Sequence, residues 1–370
     1  MPILAAAATD ARLGTLSDNL LFVVVVVYSL AMLGFAAEYA ARRRSPAAEQ
    51  YQQWDATAEL PPVAQSRVLV GAGVAAPGAP SVGIPEGPEP GRLPGSNAAP
   101  EPRDPSTSWG APSPSRLAGA AGSLALALTF LGWALHVGSV VTRGLAAHRV
   151  PWGNMYEFSS MVALIAVSAF LVLATRARVR SLGVFVLLAV VLYLGLAGTV
   201  LYVPAGPLMP ALHSYWIKIH VVAAISASGI FMVGAVVTAL YLLRERFERL
   251  LAAGRPVGLS RVTCPLPAAA VLDRTAYRII AFAFPVWTFA IIAGAIWAEA
   301  AWGRYWGWDP KETWSFITWV IYAGYLHARA TAGWKGRRAA SIALVGFAAL
   351  MVDYYAVNIW IVGLHSYAGV

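Results

Sequence analysis

The chain has 370 residues, of which 58% are hydrophobic and only 12% charged, with a mean hydropathy of +0.62. A soluble domain carries about twice that charged fraction, so a water-soluble globular fold is excluded. The formal charge of +9 is then a matter of membrane surfaces, with no call for nucleic acid.

In chain order, eight mainly apolar stretches are long enough to cross a hydrocarbon core of roughly 30 Å. They cover residues 19–38, 117–141, 155–174, 182–203, 215–243, 275–298, 310–331 and 339–362. A spanning backbone must satisfy its own hydrogen bonds, and the alternation of a β-barrel is absent, so these are read as helices. The expected fold is an all-α integral membrane protein with about eight transmembrane helices. Arg42–Arg44, Arg176/Arg178/Arg180, Arg244/Arg246/Arg249 and Lys335/Arg337/Arg338 flank alternate span ends. The positive-inside rule makes that side cytoplasmic and places both termini outside. Only Arg12, Arg143, Arg149, Lys218, Arg304 and Lys311 fall on the outer side.

The organisation follows from composition. Residues 1–40 read as an uncleaved N-terminal anchor helix, since Asp10 and Asp18 precede the apolar run and no basic leader is present. Residues 41–116 are a linker, rich in Pro, Ala, Gly and Ser through 45–115. Such a segment buries too little surface to offset chain entropy, so it is expected to be disordered and cytoplasmic. Residues 117–370 form the transmembrane core. The single cysteine, Cys264, rules out an intramolecular disulfide, a Cys-x-x-Cys redox pair and a C-x-x-C-H haem attachment sequence within the chain.

Histidine inside a span is costly and faces protein or a cavity, which makes it a functional candidate. His220 lies just inside the outer end of the fifth span, and His365 just past the outer end of the eighth. His136 is in the outer half of the second span, while His148 and His213 lie in outer loops. His327 is 13 residues beyond Trp314, about 20 Å deeper at helical rise. His136 is thus too near the outer side to share a ligand with His327. For each histidine taken singly, a hydrogen-bonded packing role competes with these readings.

The segment from Ala301 to Trp314 reads AWGRYWGWDPKETW. Asp309 suits an N-cap, Pro310 the first helical position and Glu312 the third, as in a capping box. Trp297, Trp302, Trp306, Trp308 and Trp314 fall within 18 residues, spaced by Gly303 and Gly307. An aromatic belt needs fewer, so the expectation is a flat apolar platform for a large planar anionic ligand. Arg304 and Lys311 are placed to pair with carboxylates at its edge. On the eighth span, helical period puts Tyr354, Asn358 and His365 on one face. Ala323 and Gly324, a turn before His327, leave room for a flat ligand.

The run WGRYWGWDPKETWSFITW resembles the WWD signature of haem-handling membrane proteins in cytochrome c biogenesis. VPWGNMYEFSS, PALHSYWIKIHVVAAISA and YLHARA extend the likeness over roughly residues 117–370. Length, span number and WDPKETW resemble most the CcsA (CcsB/ResC-type) branch of the System II pathway. The long linker and the spacing between His148 and the P-x-x-N element depart from that family's pattern. The resemblance implies that His220 and His365 hold haem iron at the outer face, and that His327 ligates haem in transit. Trp302, Trp306, Trp308, Asp309 and Arg304 would line or support the haem site, with haem b bound non-covalently. Implied partners are a CcsB/ResB-type membrane protein, an apocytochrome c bearing C-x-x-C-H, and thiol-reducing proteins. The implied activity is that of a subunit of a cytochrome c synthase (haem lyase-type) complex, working by positioning, with no catalytic nucleophile or base in the chain. A b-type haem electron-transfer protein is the alternative, but it usually pairs histidines along one helix at two depths. A substrate transporter is disfavoured by the lack of an inverted repeat. Ala-rich, Arg-over-Lys usage points to a bacterial plasma membrane before a thylakoid.

Overall fold

The computed structural model describes residues 10–43, 116–176, 179–206, 214–254 and 260–365. The linker 45–115 and His213 lie outside them. All regular structure among the described residues is helical. Eight long helices follow one another: α1 (Ala11–Arg43), α2 (Arg116–Ala147), α3 (Met155–Arg176), α4 (Gly183–Val200), α5 (Tyr215–Ala252), α6 (Ala269–Trp302), α7 (Pro310–Ala330) and α8 (Arg337–Met351). A π-helical turn, Val352–Ala356, and a last turn, Val357–Trp360, prolong α8.

Each helix coincides with one of the eight predicted spans, so the protein is an integral membrane protein. Seven are long and apolar enough to cross a membrane. The eighth, α7, is 21 residues long, about 31 Å at helical rise, but carries Lys311, Glu312, His327 and Arg329. The helices overrun the apolar stretches because hydropathy registers only the part in hydrocarbon. α5 has 38 residues, about 57 Å, and its last turns carry the Arg244–Glu248 and Arg249–Glu245 pairs.

Apolar packing divides the bundle around α5. One core joins α1, α3, α4 and α5 through Phe35, Phe170, Leu187 and Val233. The other joins α5, α6, α7 and α8 through Phe231, Trp287, Tyr322 and Ala343. Phe231 and Tyr322 stack at 4.0 Å with planes 6° apart. α5 can sit between the two because its central stretch is small: Ala223, Ala224, Ala227, Ser228 and Gly229 are all buried. Small residues let backbones approach closely where water cannot drive association.

Polar knots tie the helix ends. At one end Arg329 forks onto Asp273 at 2.6 and 3.0 Å, joining α7 to α6. At the other end Glu157, 2% exposed, receives Arg143 Nε at 3.1 Å, both terminal nitrogens of Arg149 at 2.7 and 3.1 Å, and Gly153 N at 2.8 Å. The Glu157 N–H in turn donates to Asn154 Oδ1 at 2.8 Å, which caps α3. The Asn-x-x-Glu of the VPWGNMYEFSS segment is therefore a variant of the capping box, in which the glutamate takes the N–H of the residue before the cap, braced by two arginines. Arg143 also reaches Asp18 on α1 and the carbonyl of Val203 beyond α4. Glu157→Ala should leave two buried guanidinium groups short of their carboxylate, at a cost of about 3–5 kcal/mol. Thermal unfolding of the purified protein in detergent should show a large drop in midpoint; an unchanged midpoint would mean the knot is dispensable.

Candidate functional site

The site is built where the first turn of α5, the last turns of α6, the start of α7 and the turn after α8 converge. The start of α7 is fixed by local chemistry. Asp309 is its N-cap, Pro310 opens the helix and Glu312 completes the capping box. Glu312 then organises the loop before it. Its carboxylate accepts from Gly307 N at 2.8 Å and Asp309 N at 3.1 Å, and pairs with Arg304 at 3.1 Å. Between those two pinned amides Trp308 is held at φ +58°. A bulky residue in that region costs about 1–3 kcal/mol and persists only where neighbours enforce it; here one carboxylate oxygen grips both sides.

Two histidines approach the same cavity from different elements. His220, on the first turns of α5, places Nδ1 2.8 Å from the carbonyl oxygen of Ala290 on α6. A carbonyl can only accept, so the proton sits on Nδ1 and the lone pair on Nε2. The ring can lie so close to α6 because residue 294 is glycine: a Cβ there would be 2.7 Å from His220 Nδ1. His365 places Nδ1 2.8 Å from Asp309 Oδ2, and a carboxylate again fixes the proton on Nδ1. Asp309 Oδ1 also accepts from Leu364 N at 2.7 Å, and Gly363 permits that approach, since a Cβ would meet Oδ1 at 2.8 Å. Burial opposes the charge on Asp309, but the hydrogen bonds from His365 and Leu364 outweigh it and hold its carboxyl below the usual range. Burial pushes His365 below the ordinary histidine value, with Asp309 acting in the opposite direction. At neutral pH the pair is therefore carboxylate and neutral imidazole.

Trp297, 1% exposed, touches both histidine rings. Its ring stacks on His220 with planes 10° apart and meets His365 edge-on at 5.7 Å. Trp302 packs against Trp297 at 4.7 Å and against His365 at 5.0 Å, both edge to face. The expected flat platform is thus corrected. Trp306 and Trp308 are perpendicular to each other, and Trp308 is 64% exposed. Ring orientation is set by tertiary neighbours and by the quadrupole preference for edge contacts, neither of which spacing reveals. What forms instead is a recess lined by His220, Trp297, Trp302, Trp306, Lys311 and His365, among others. Arg304, Trp308 and Asp309 stand behind this wall and shape it. Arg304 does pair with a carboxylate, Glu312, whereas Lys311 donates to the main-chain oxygen of Asp353 at 3.1 Å.

The remaining histidines separate cleanly. α8 passes through its π turn and ends at Trp360, so His365 does not share a helical face with Tyr354 and Asn358; Asp309 places it. His327 lies 18 residues after the N-cap of α7, about 27 Å along the helix. It is exposed on one face with Phe316, Val320 and Gly324, where added atoms would meet open space at Gly324. His136 is fully buried, 3.0 Å from Ser160 and 3.4 Å from the Tyr28 hydroxyl, a packing role. His148 is exposed in a turn. Gly294, Gly363, Trp297 as a stacking wall and the Asp309–His365 bond were not foreseen from the sequence. The first, a glycine inside an apolar span, is the one local signal of a close approach.

Residues 152–365 match the cytochrome c assembly protein family. The chain belongs to this family. The match opens on the Trp152-Gly153-Asn154 cap of α3 and closes on His365, so it takes in Glu157, the Arg329–Asp273 pair and the histidine recess, while Arg143 and Arg149 precede it. The cytochrome c biogenesis protein CcsA of Gloeobacter violaceus is 35% identical over 276 residues, covering 62% of this chain and 82% of that protein. Its counterpart from Synechococcus sp. (strain JA-3-3Ab) is 34% identical over 286 residues, 64% of this chain and 83% of the relative. The CcsA of Porphyra purpurea is 34% identical over 258 residues, 61% and 81%. These matches identify the chain as CcsA-type, in agreement with the System II resemblance.

Gly294→Ala gives a test with a decided sign. Helix propensity alone would favour alanine by about 1 kcal/mol. The clash with His220 should outweigh it by forcing the ring off Ala290, so the unfolding midpoint should fall. In a His220→Ala background the same change should raise the midpoint. A rise in both backgrounds would contradict the packing described.

Proposed function

We propose that this cytochrome c assembly protein binds haem b between His220 and His365 and presents it for thioether attachment to an apocytochrome c. The observation that carries this reading is the pair of rings from separate elements with Nδ1 committed to pure acceptors. Each offers the lone pair of Nε2, the form of imidazole that ligates iron. A carboxylate–histidine pair such as Asp309–His365 raises ligand basicity and fixes ring orientation. Aromatic walls and an apolar lining suit a macrocycle, whose faces are π-rich and whose burial is favourable.

Haem enters as the substrate of assembly. Two axial histidines would saturate its iron and keep oxygen away. The chain's own contribution is then positional: His220 and His365 fix the iron, Trp297 and Trp302 fix the tilt, and Glu312 holds the loop carrying Trp306. Attachment adds an S–H bond of each client cysteine across a vinyl C=C, forming C–S and C–H bonds with no change in oxidation state. Holding thiol and vinyl together can supply much of the rate by orientation alone. Departure of the product requires exchange of one chain histidine for the histidine of the client's C-x-x-C-H segment.

The basic clusters support an orientation with the Trp end outside the cytoplasm, in a bacterial plasma membrane on this reading. His327 would hold haem earlier on an inside-to-outside route. Its exposure on α7 beside Gly324 fits a ligand shared with a CcsB/ResB-type membrane partner, which would cover that face. Thiol-reducing proteins would keep the client cysteines reduced.

His220→Ala and His365→Ala should each abolish cytochrome c assembly in cells, and added imidazole should restore it by filling the vacated axial position. His327→Ala should instead lower the total haem that copurifies. Full assembly by both outer variants, or identical haem content and spectra in all three, would defeat the two-site reading.

A further inference from the structure

The recess holds two polar groups that the histidine geometry leaves unused. Lys311 sits in the first turn of α7 with its ammonium 3.1 Å from the main-chain oxygen of Asp353 and 5.9 Å over the ring of Tyr354. That bond spends one of three N–H donors, and among the described residues the ammonium has no carboxylate at ion-pair distance. Arg304, the other cation of the segment, is already neutralised by Glu312. Asp353 belongs to the π turn of α8 and is 5% exposed. Its Oδ1 is buried with no hydrogen-bond partner among the described residues. Both side chains line the same recess as His220 and His365. A buried acceptor left without a donor is costly, and π turns occur preferentially at functional sites.

A donor with spare N–H groups beside an acceptor with a spare lone pair is complementary to a carboxyl group. One carboxyl oxygen accepts from Lys311, while the protonated oxygen donates to Asp353 Oδ1. Charge decides the protonation: ammonium, carboxylate and neutral carboxyl sum to zero, whereas an ionised ligand would bury one net negative charge. We infer that Lys311 and Asp353 form a carboxyl subsite that fixes the rotational setting of the planar ligand between the two histidines. This deepens the haem reading and rests on it. Haem b carries its two propionate carboxyls on one edge and its two vinyl groups on the opposite edge. Anchoring a propionate at Lys311 therefore turns the vinyl edge away from Lys311, and the subsite selects which edge an incoming thiol meets.

The test titrates the purified full chain in detergent with iron protoporphyrin IX and, separately, with its dimethyl ester, followed by Trp fluorescence and the Soret band. The unaltered chain should bind the free acid about tenfold or more tightly than the ester, the loss expected for one charge-assisted hydrogen bond. Asp353→Leu should level the two affinities and Asp353→Asn narrow the gap, because the ester keeps an acceptor for Lys311 but has no O–H for Asp353. Lys311→Met should weaken acid and ester alike, and Lys311→Arg should spare both. Equal affinity for acid and ester in the unaltered chain, with low-spin bands for both, would overturn the subsite while leaving haem capture intact. An undiminished acid preference in Asp353→Leu would overturn it as well. If neither porphyrin binds, the subsite and the haem reading fall together.

Discussion

One carboxylate closes the site. Asp309 caps α7 from its own backbone position, and 55 and 56 residues later in the chain Leu364 N and His365 Nδ1 return to its two oxygens. Charge-assisted hydrogen bonds of this kind contribute about 1.5–3 kcal/mol each. They are what brings the turn after α8 over the recess, because α8 itself stops at Trp360. Without Asp309 the capping of α7, the direction of the final turn and the tautomer of His365 would all be unspecified. The same residue therefore acts in the fold and in the proposed ligand set, and the two roles cannot be separated by burial or position.

A shared local design supports it. Asn154-x-x-Glu157 and Asp309-x-x-Glu312 are both box-like helix starts, the first directly after Trp152-Gly153 and the second one residue beyond Trp306-Gly307. In each, the glutamate accepts from the glycine N–H, Gly153 at 2.8 Å and Gly307 at 2.8 Å, and pairs with an arginine of the incoming loop, Arg149 or Arg304. Buried charges are tolerated in this membrane-embedded bundle because each carboxylate is surrounded by several donors. The two boxes stiffen the loops that enter α3 and α7. α3 in turn holds Tyr354 of α8 through Ser159 and the Met155 carbonyl, at 2.5 and 2.7 Å, so the rigidity of one box reaches the wall of the recess.

Much of this was legible in the sequence, for reasons particular residues make clear. Continuous apolar runs have one solution in a bilayer, so the eight helices could be read directly, including α7 despite its polar ends. Asp309-Pro310-x-Glu312 is a local signal and reads correctly as a cap. His220 and His365 could be matched by depth, because span boundaries fix depth. Contacts between distant segments were not legible: Asp309 to His365, Gly294 beneath His220, and the orphaned Asp353 oxygen depend on how helices pack. The flat Trp platform failed for the same reason, since spacing gives the position of a ring and not its plane. The π turn erased the helical register on which the Tyr354–Asn358–His365 face had been based.

Absorption spectroscopy of the protein purified with its membrane partner bears most directly on the paired histidines. Bis-histidine capture requires low-spin haem b bands that are weakened or turned high-spin in His220→Ala and in His365→Ala, and regained with imidazole. Haem-free protein from cells supplied with haem, or a spectrum indifferent to both substitutions, would contradict it.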